Sequence, residues 1–425
     1  MGSVTPLIKP DVTLSLSLSP SPTSHATTLK PEEIGIRLIQ LLLKCAEHTT
    51  SGNLHRADAC LAEISELASI TGNSMQRLAA RFASALAIRL VKRWPGIHKA
   101  LSHANKTKLD LDLDQAQAHF SQAFPYLRFA YAIITRTLIQ SMGHERRIHI
   151  VDLGSGDPKL WIPLLRGFAN SSNGPPHLKI TCVSRNKDGL EKLGLKLVKE
   201  AEALDMPFQF NPINVTLREL TSDMIMVRPG ESLAFISILS LHVLLAEDDG
   251  VNAHFGGPNK AASDIVKDCK QMNDFLAMLR SMSPKMLFLV EQEAEHNLAK
   301  CFDRFVEGLY YYSAIFDSID VTLGQTAGDD RFILEEMFGR EIENIVACEG
   351  LERYERHERY CNWAVRLSRS GLKPVRLWYN CDDEDGTSPI VDAFGKDGYK
   401  IISARTSLMI CWHERPLYAV TAWTC

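Results

Sequence analysis

After Gly143 the hydrophobic period of this chain changes, and no other feature constrains its fold as much. Ile148-His149-Ile150-Val151-Asp152-Leu153 is a mostly apolar run of strand length, and Gly154-Ser155-Gly156 follows as a tight loop. Asp157-Pro158 then offers an N-cap and a first helical residue. Leu160, Trp161, Leu164, Leu165 and Phe168 continue at helical spacing. The unit recurs, with strands read at 178–184, 208–210, 233–239 and 286–290 and a helix through Leu190, Leu193, Leu197 and Ala201. Strands alternating with helices predict a doubly wound α/β domain over 144–425, its parallel sheet covered on both faces. Segments 408–413 and 417–423, around Glu414-Arg415-Pro416, predict a closing antiparallel hairpin.

Upstream the period is helical. Pro31-Glu32-Glu33 suits a first turn, followed by Leu38, Leu41, Leu42 and Cys45, and then by Leu54, Ala57, Leu61, Ile64 and Leu67. Asn73 and Gln76 form a capping box for Leu78, Phe82, Leu86 and Leu90. Leu127, Ala130, Tyr131, Ile134 and Leu138 follow Pro125. A zipper would have to run through His48, Ser51 and Gly52, so the expectation is a helical cap over 30–143, with part of 300–345 open to joining it. Residues 1–29, rich in Ser, Thr and Pro, lack the apolar area to order.

Lys+Arg number 47 and Asp+Glu 51, a net charge of −4, which is no electrostatic footprint for nucleic acid. The longest apolar stretch, 233–246, contains Ser237, Ser240 and His242 and is too short to cross about 30 Å of hydrocarbon, so no membrane span is expected. The N-terminus lacks the basic-then-apolar order of a secretory signal. Ten cysteines without a CxxC spacing read as reduced thiols of an intracellular protein.

The segment 151–156 resembles the first motif of class I methyltransferases. Under that reading Asp152, Gly154, Gly156 and Asp157 would hold S-adenosylmethionine. Pro158 occupies the third glycine position, and the second strand ends in Ser184-Arg185-Asn186, where a ribose-holding acid belongs. Ser155 lacks the preceding glycine of a nucleophile elbow. His144 and His149 are one residue too far apart for a helical zinc pair, and Asp382 to Gly386 misplaces the calcium-loop ligands, so neither a metal nor a cofactor is expected. The run from Glu352 to Tyr360 alternates charge at i,i+3 and i,i+4 distances, as a solvated helix does, and it also suits an ion-pair network against another element. Trp412 and Trp423 are expected in the core.

Taken in order, six segments resemble the plant GRAS family of transcriptional regulators. Residues 41–46 look like its first leucine-rich region, 148–152 like its VHIID motif, and 190–204 like its second leucine-rich region. Residues 302–316 and 341–358 resemble the PFYRE region, and 411–423 the SAW motif. The stretches 31–33, 51–69, 175–181 and 206–212 are similar to the scarecrow-like subtype three branch. The Gly154-Ser155-Gly156 loop departs from the bulky or acidic residues usual there.

The resemblance implies a class I methyltransferase-like (Rossmann-like) core with an N-terminal helical cap, in which catalysis has been lost. It implies a nuclear scaffold for transcription factors and other GRAS proteins, as homo- or hetero-oligomers, reaching DNA through those partners and tuning gibberellin responses and root development. It makes His149, Asp152, Arg353, Glu355, Trp412 and Trp423 structural motif residues. Partners are expected on the cap at Leu38, Leu41, Leu42, Leu61 and Ile64, where an amphipathic helix would offer a groove. Leu14, Leu16 and Leu18 resemble the EAR repression motif of plant regulators; the same three leucines also fit a solvated low-complexity tail.

Overall fold

The computed structural model describes residues 30–105, 116, 119–122, 124–154, 156–171, 173–247, 266–324, 328–378, 398–404 and 406–425. Leu14, Leu16, Leu18, Ser155 and the acidic run Asp382 to Gly386 lie outside them.

The 30–143 stretch begins with α1 (Pro31–Ser51), α2 (Leu54–Leu67) and α3 (Ser74–Val91). Gly52 ends α1 in the left-handed region, at φ +82°, where a Cβ is costly. Asn73 and Gln76 close the capping box of α3. Next come α4 (Pro95–Asn105), which the periodicity did not announce, and α5 (Pro125–Met142).

Strands and helices then alternate: β1 (Arg147–Asp152), α6 (Pro158–Ala169), β2 (His177–Val183), α7 (Lys187–Ala203) and β3 (Phe208–Ile213). The short α8 (Ser222–Ile225) precedes β4 (Ser232–Ile238), and α9 (Lys270–Ser281) precedes β5 (Met286–Gln292). Two long helices, α10 (Cys301–Leu323) and α11 (Gly328–Ala347), come before α12 (Tyr360–Arg369). Last come β6 (Lys373–Val375), β7 (Tyr399–Ala404), β8 (Ser407–Trp412) and β9 (Arg415–Thr424).

The strands form one mixed sheet ordered β3-β2-β1-β4-β5-β9-β8-β7. The first five are parallel, and β9 enters antiparallel to β5, with Val290 opposite Val420. The 8–9 hairpin is therefore the bridge to an antiparallel half. Strand order reverses direction at β1, so the crevice of this doubly wound sheet opens at the carboxyl ends of β1 and β4.

Alternate residues point to opposite faces, and the core divides accordingly. Ile150, Ile236, Phe288 and Val290 join one large cluster with Leu38, Phe82 and Phe338. Val151, Phe235, Leu287 and Leu289 join another with Met272, Phe275, Trp363 and Trp423. Helices α10 and α11 pack on α3. Across that contact the buried Arg77 donates to Glu335 at 2.7 Å and also to Asp320.

The first leucine-rich segment does not offer the expected groove. Leu38, Leu41, Leu42 and Ile64 are buried in the large core cluster, and Leu61 is partly buried against it. The leucine stripe of α1 is spent on α2 and α3. Leu42→Ala and Leu41→Ala should each cost about 2–5 kcal/mol, as core truncations do, read from the shift of a urea-unfolding midpoint.

Candidate functional site

The crevice at the switch point is a cleft of about 680 Å³. Gly154, Gly156, Asp157, Leu239, His242, Phe338, Glu341, Tyr354 and Glu355 are among the residues that line it.

The glycine loop is closed by its own strand. Asp152 is buried at the end of β1, and its carboxylate accepts from the Gly154 amide at 3.0 Å and the Gly156 amide at 2.9 Å. Trp161 Nε1 donates to the same carboxylate at 3.3 Å. Two backbone donors of the kind that cradle an anion are thus already engaged. Gly154 has φ +132°, and a Cβ there would lie 3.3 Å from Ser240. Asp157 caps α6 through the Lys159 amide and accepts from Tyr131 Oη at 3.0 Å. At the end of β2, where an acid would grip a ribose, Asn186 caps α7 through the Gly189 amide.

His149 faces the sheet interior rather than the cleft. Its Nδ1 lies 3.1 Å from Glu231 and its Nε2 2.9 Å from Thr181 Oγ1, which Asn211 also approaches at 3.3 Å. Burial, with Lys179 nearby, lowers its pKa to about 4. The neutral ring then donates through Nδ1 to the carboxylate and accepts the Thr181 hydroxyl at Nε2. It ties β1 to β2 and to the entry of β4.

The segment 353–359, whose charge pattern fits either a solvated helix or an ion-pair network, is not helical and is largely buried. Arg353, Arg356, His357 and Glu358 are buried. Partners far along the chain satisfy its backbone in place of a helical ladder. Asn344 Oδ1 accepts from the Tyr354 and Glu355 amides, each at 2.9 Å, and the Asn297 and His296 amides donate to the His357 carbonyl. Its charges are also paired at long range. Arg366 grips Glu358 at 2.7 and 2.8 Å, and Arg353 donates to the His296 carbonyl at 3.1 Å. Of the two readings of this run, the ion-pair network against other elements is the one found.

This segment delivers Glu355 and His357 to the cleft, where they meet His242. His242 follows β4 on a 3₁₀ turn, with Nδ1 2.9 Å from Glu291 and Nε2 3.1 Å from Glu355. Burial alone would lower its pKa, but the two carboxylates outweigh burial and hold it at about 10. Burial would likewise raise Glu355, yet hydrogen bonds from His242 and His357 drive it well below the usual carboxylate range. Glu341, half-buried and beside the Glu355 charge, rises to about 7 although Gln292 and Tyr312 donate to it. Sequence reasoning missed His242, Glu291, Gln292, His296, Glu341 and Asn344. The available signal was polar residues set inside apolar runs, such as His242 within 233–246.

Of the sequence candidates, the structure brings Gly154, Gly156, Asp157 and Glu355 to the cleft. Arg353 is buried against the His296 carbonyl. Trp412 and Trp423 are buried on the 8–9 hairpin, donating to Asp317 and Thr421 at 2.8 and 2.9 Å.

A doubly wound sheet under a helical layer, with a glycine loop stoppered by its own aspartate, defines a Rossmann-like protein with a heavily rebuilt crevice. The chain belongs to the GRAS domain family, whose pattern matches residues 38–424. It is similar to Scarecrow-like protein 3 of Arabidopsis thaliana, 36% identical over 97% of this chain and 93% of that protein. GRAS family protein TF80 of Medicago truncatula is 33% identical over 95% of this chain and 99% of its own length. The crystal structure of SCL7 in Oryza sativa superposes with a TM-score of 0.74 at 26% identity, covering 91% of this chain and 99% of that one.

The depressed His149 pKa has a measurable consequence. The unfolded state takes up a proton near pH 6.5 and the folded state only near 4, so stability from neutral His149 is full above 6.5 and lost as pH falls towards 4. The difference in urea midpoint between the parent and His149→Gln should therefore be largest at pH 7 and shrink by pH 4.5.

Proposed function

We propose that this chain is a non-enzymatic transcriptional co-regulator, a scaffold acting in the nucleus in gibberellin signalling and root development. The observation that carries this reading is the end-to-end similarity to Scarecrow-like protein 3. DELLA protein RGL1 of Arabidopsis thaliana, 34% identical over 95% of this chain, supports the gibberellin connection. Its partners are transcription factors and other GRAS proteins, and DNA is reached through them. A net charge of −4 suits protein contacts better than phosphate contacts. Among the described residues no helix is long and apolar enough to cross a membrane.

Two local features favour binding over methyl transfer. The Gly154 and Gly156 amides are held by Asp152, and Asn186, in place of an acid, caps a helix at the end of β2. Because the α1 leucines face inward, partner docking on the helical layer falls to its outer surface. There Ile36, 55% exposed, stands beside Arg37, Gln40, Glu63 and Leu67.

Fused to a heterologous DNA-binding domain, the chain should change transcription of a matched reporter, and Ile36→Asp should weaken capture of a GRAS partner at least tenfold without lowering the melting temperature. Calorimetry with S-adenosylmethionine should show no binding tighter than about 100 μM. Tighter binding that Gly154→Val abolishes would give the chain to the methyltransferases instead.

A further inference from the structure

We propose that His242, Glu355 and His357 form a zinc site at the base of the cleft, an ion that would pin the 353–359 segment to the carboxyl end of β4. One ligand atom from each of the three lies within 4.8 Å of the others. The Glu355 carboxylate oxygen is 3.1 Å from His242 Nε2 and 3.1 Å from His357 Nε2. Donors about 2.0–2.1 Å from a tetrahedral zinc stand about 3.3 Å apart, so small movements would seat the ion.

The outer partners are those that metal-binding imidazoles require. A ligating histidine is oriented by a hydrogen bond at its other nitrogen, usually to a carboxylate. His242 Nδ1 meets Glu291 at 2.9 Å, and His357 Nδ1 meets His296 Nδ1 at 2.9 Å. Both rings therefore present Nε2 to the same carboxylate oxygen. His357 is 1% exposed, and its Nε2 faces the Glu355 carboxylate oxygen at 3.1 Å. Gln292 Oε1, in the same cleft wall, is buried without a donor. A buried acceptor without a donor is costly unless something in the cleft supplies one.

Charge and donor type select the ion. Once the ion displaces the His242 proton, two carboxylates, Glu291 and Glu355, with two neutral imidazoles would balance a divalent cation, as a buried site must. Two nitrogens among three donors disfavour magnesium and calcium, which take oxygen, and the tetrahedral spacing favours zinc. The fourth position faces the cleft, where a water or a donor atom of a bound molecule would complete the shell. His144 and His149, the only histidine pair weighed on spacing, take no part.

The test uses the full chain, stripped with a chelator and titrated with Zn²⁺ against a chromophoric competitor. One equivalent should bind with a Kd below about 1 μM and raise the melting temperature. Glu355→Gln and His357→Gln should each weaken binding at least a hundredfold. X-ray absorption of the parent's zinc adduct should show nitrogen and oxygen neighbours, two of them imidazole, and no sulfur at about 2.3 Å. This measurement needs no variant, so it decides the matter even if His357→Gln fails to fold. Sulfur in the shell would place the ion on cysteines and overturn the assignment. So would absence of binding by the folded parent, or full affinity in Glu355→Gln.

Discussion

A parallel sheet has no wet face, and this requirement organises the whole molecule. The central parallel strands β1, β4 and β5 present apolar side chains on both sides, so helices must cover both. One face is covered by α9 and α12 with Trp363 and Trp423. The other is continuous with the helical layer, where Leu38 and Phe82 share a core with Ile150 and Phe288. Segments from both ends of the chain thereby become one folding unit. The buried Arg77, held by Glu335 and Asp320, fixes how α3 meets α10 and α11. Once formed, that contact is expensive to break, because either partner alone would be an uncompensated buried charge.

The same constraint explains the crevice. Doubly wound sheets leave an opening where strand order reverses, and nucleotide-binding relatives of the fold fill it with a cofactor. Here protein groups crowd it. Asp152 turns back on its loop amides, and the 353–359 segment brings Glu355 and His357 in from the opposite side. Asn344 makes this possible by taking two backbone amides that a non-helical buried segment would otherwise leave unpaired. The cleft that results is lined by histidines and carboxylates with strongly shifted affinities for protons, an unusual interior for a scaffold.

Where local pattern decides structure, the chain was legible. The five parallel strands, the closing hairpin and four of the helices of 30–143 follow from period, caps and glycine–proline punctuation, because those signals act within a few residues. The run Glu352 to Tyr360 shows where that stops. Its i,i+4 charges fit a solvated helix, but its real partners, Asn344, His242, His296 and Arg366, lie on other elements. The leucines of α1 show the same limit. Their spacing marks an amphipathic face, and spacing does not say whether a neighbouring helix or another protein covers it.

By itself, then, the order of residues determined the alternating strand–helix architecture, the helical layer ahead of it and the family to which they belong, since each depends on short-range periodicity or on motifs in series. Only the tertiary structure decided what the crevice contains, which apolar faces are spent internally and which histidines meet. Those outcomes depend on contacts between segments up to a hundred residues or more apart, as between His242 and Glu355. Nothing local in the chain encodes a distance of that kind; it exists only once both faces of the sheet are buried.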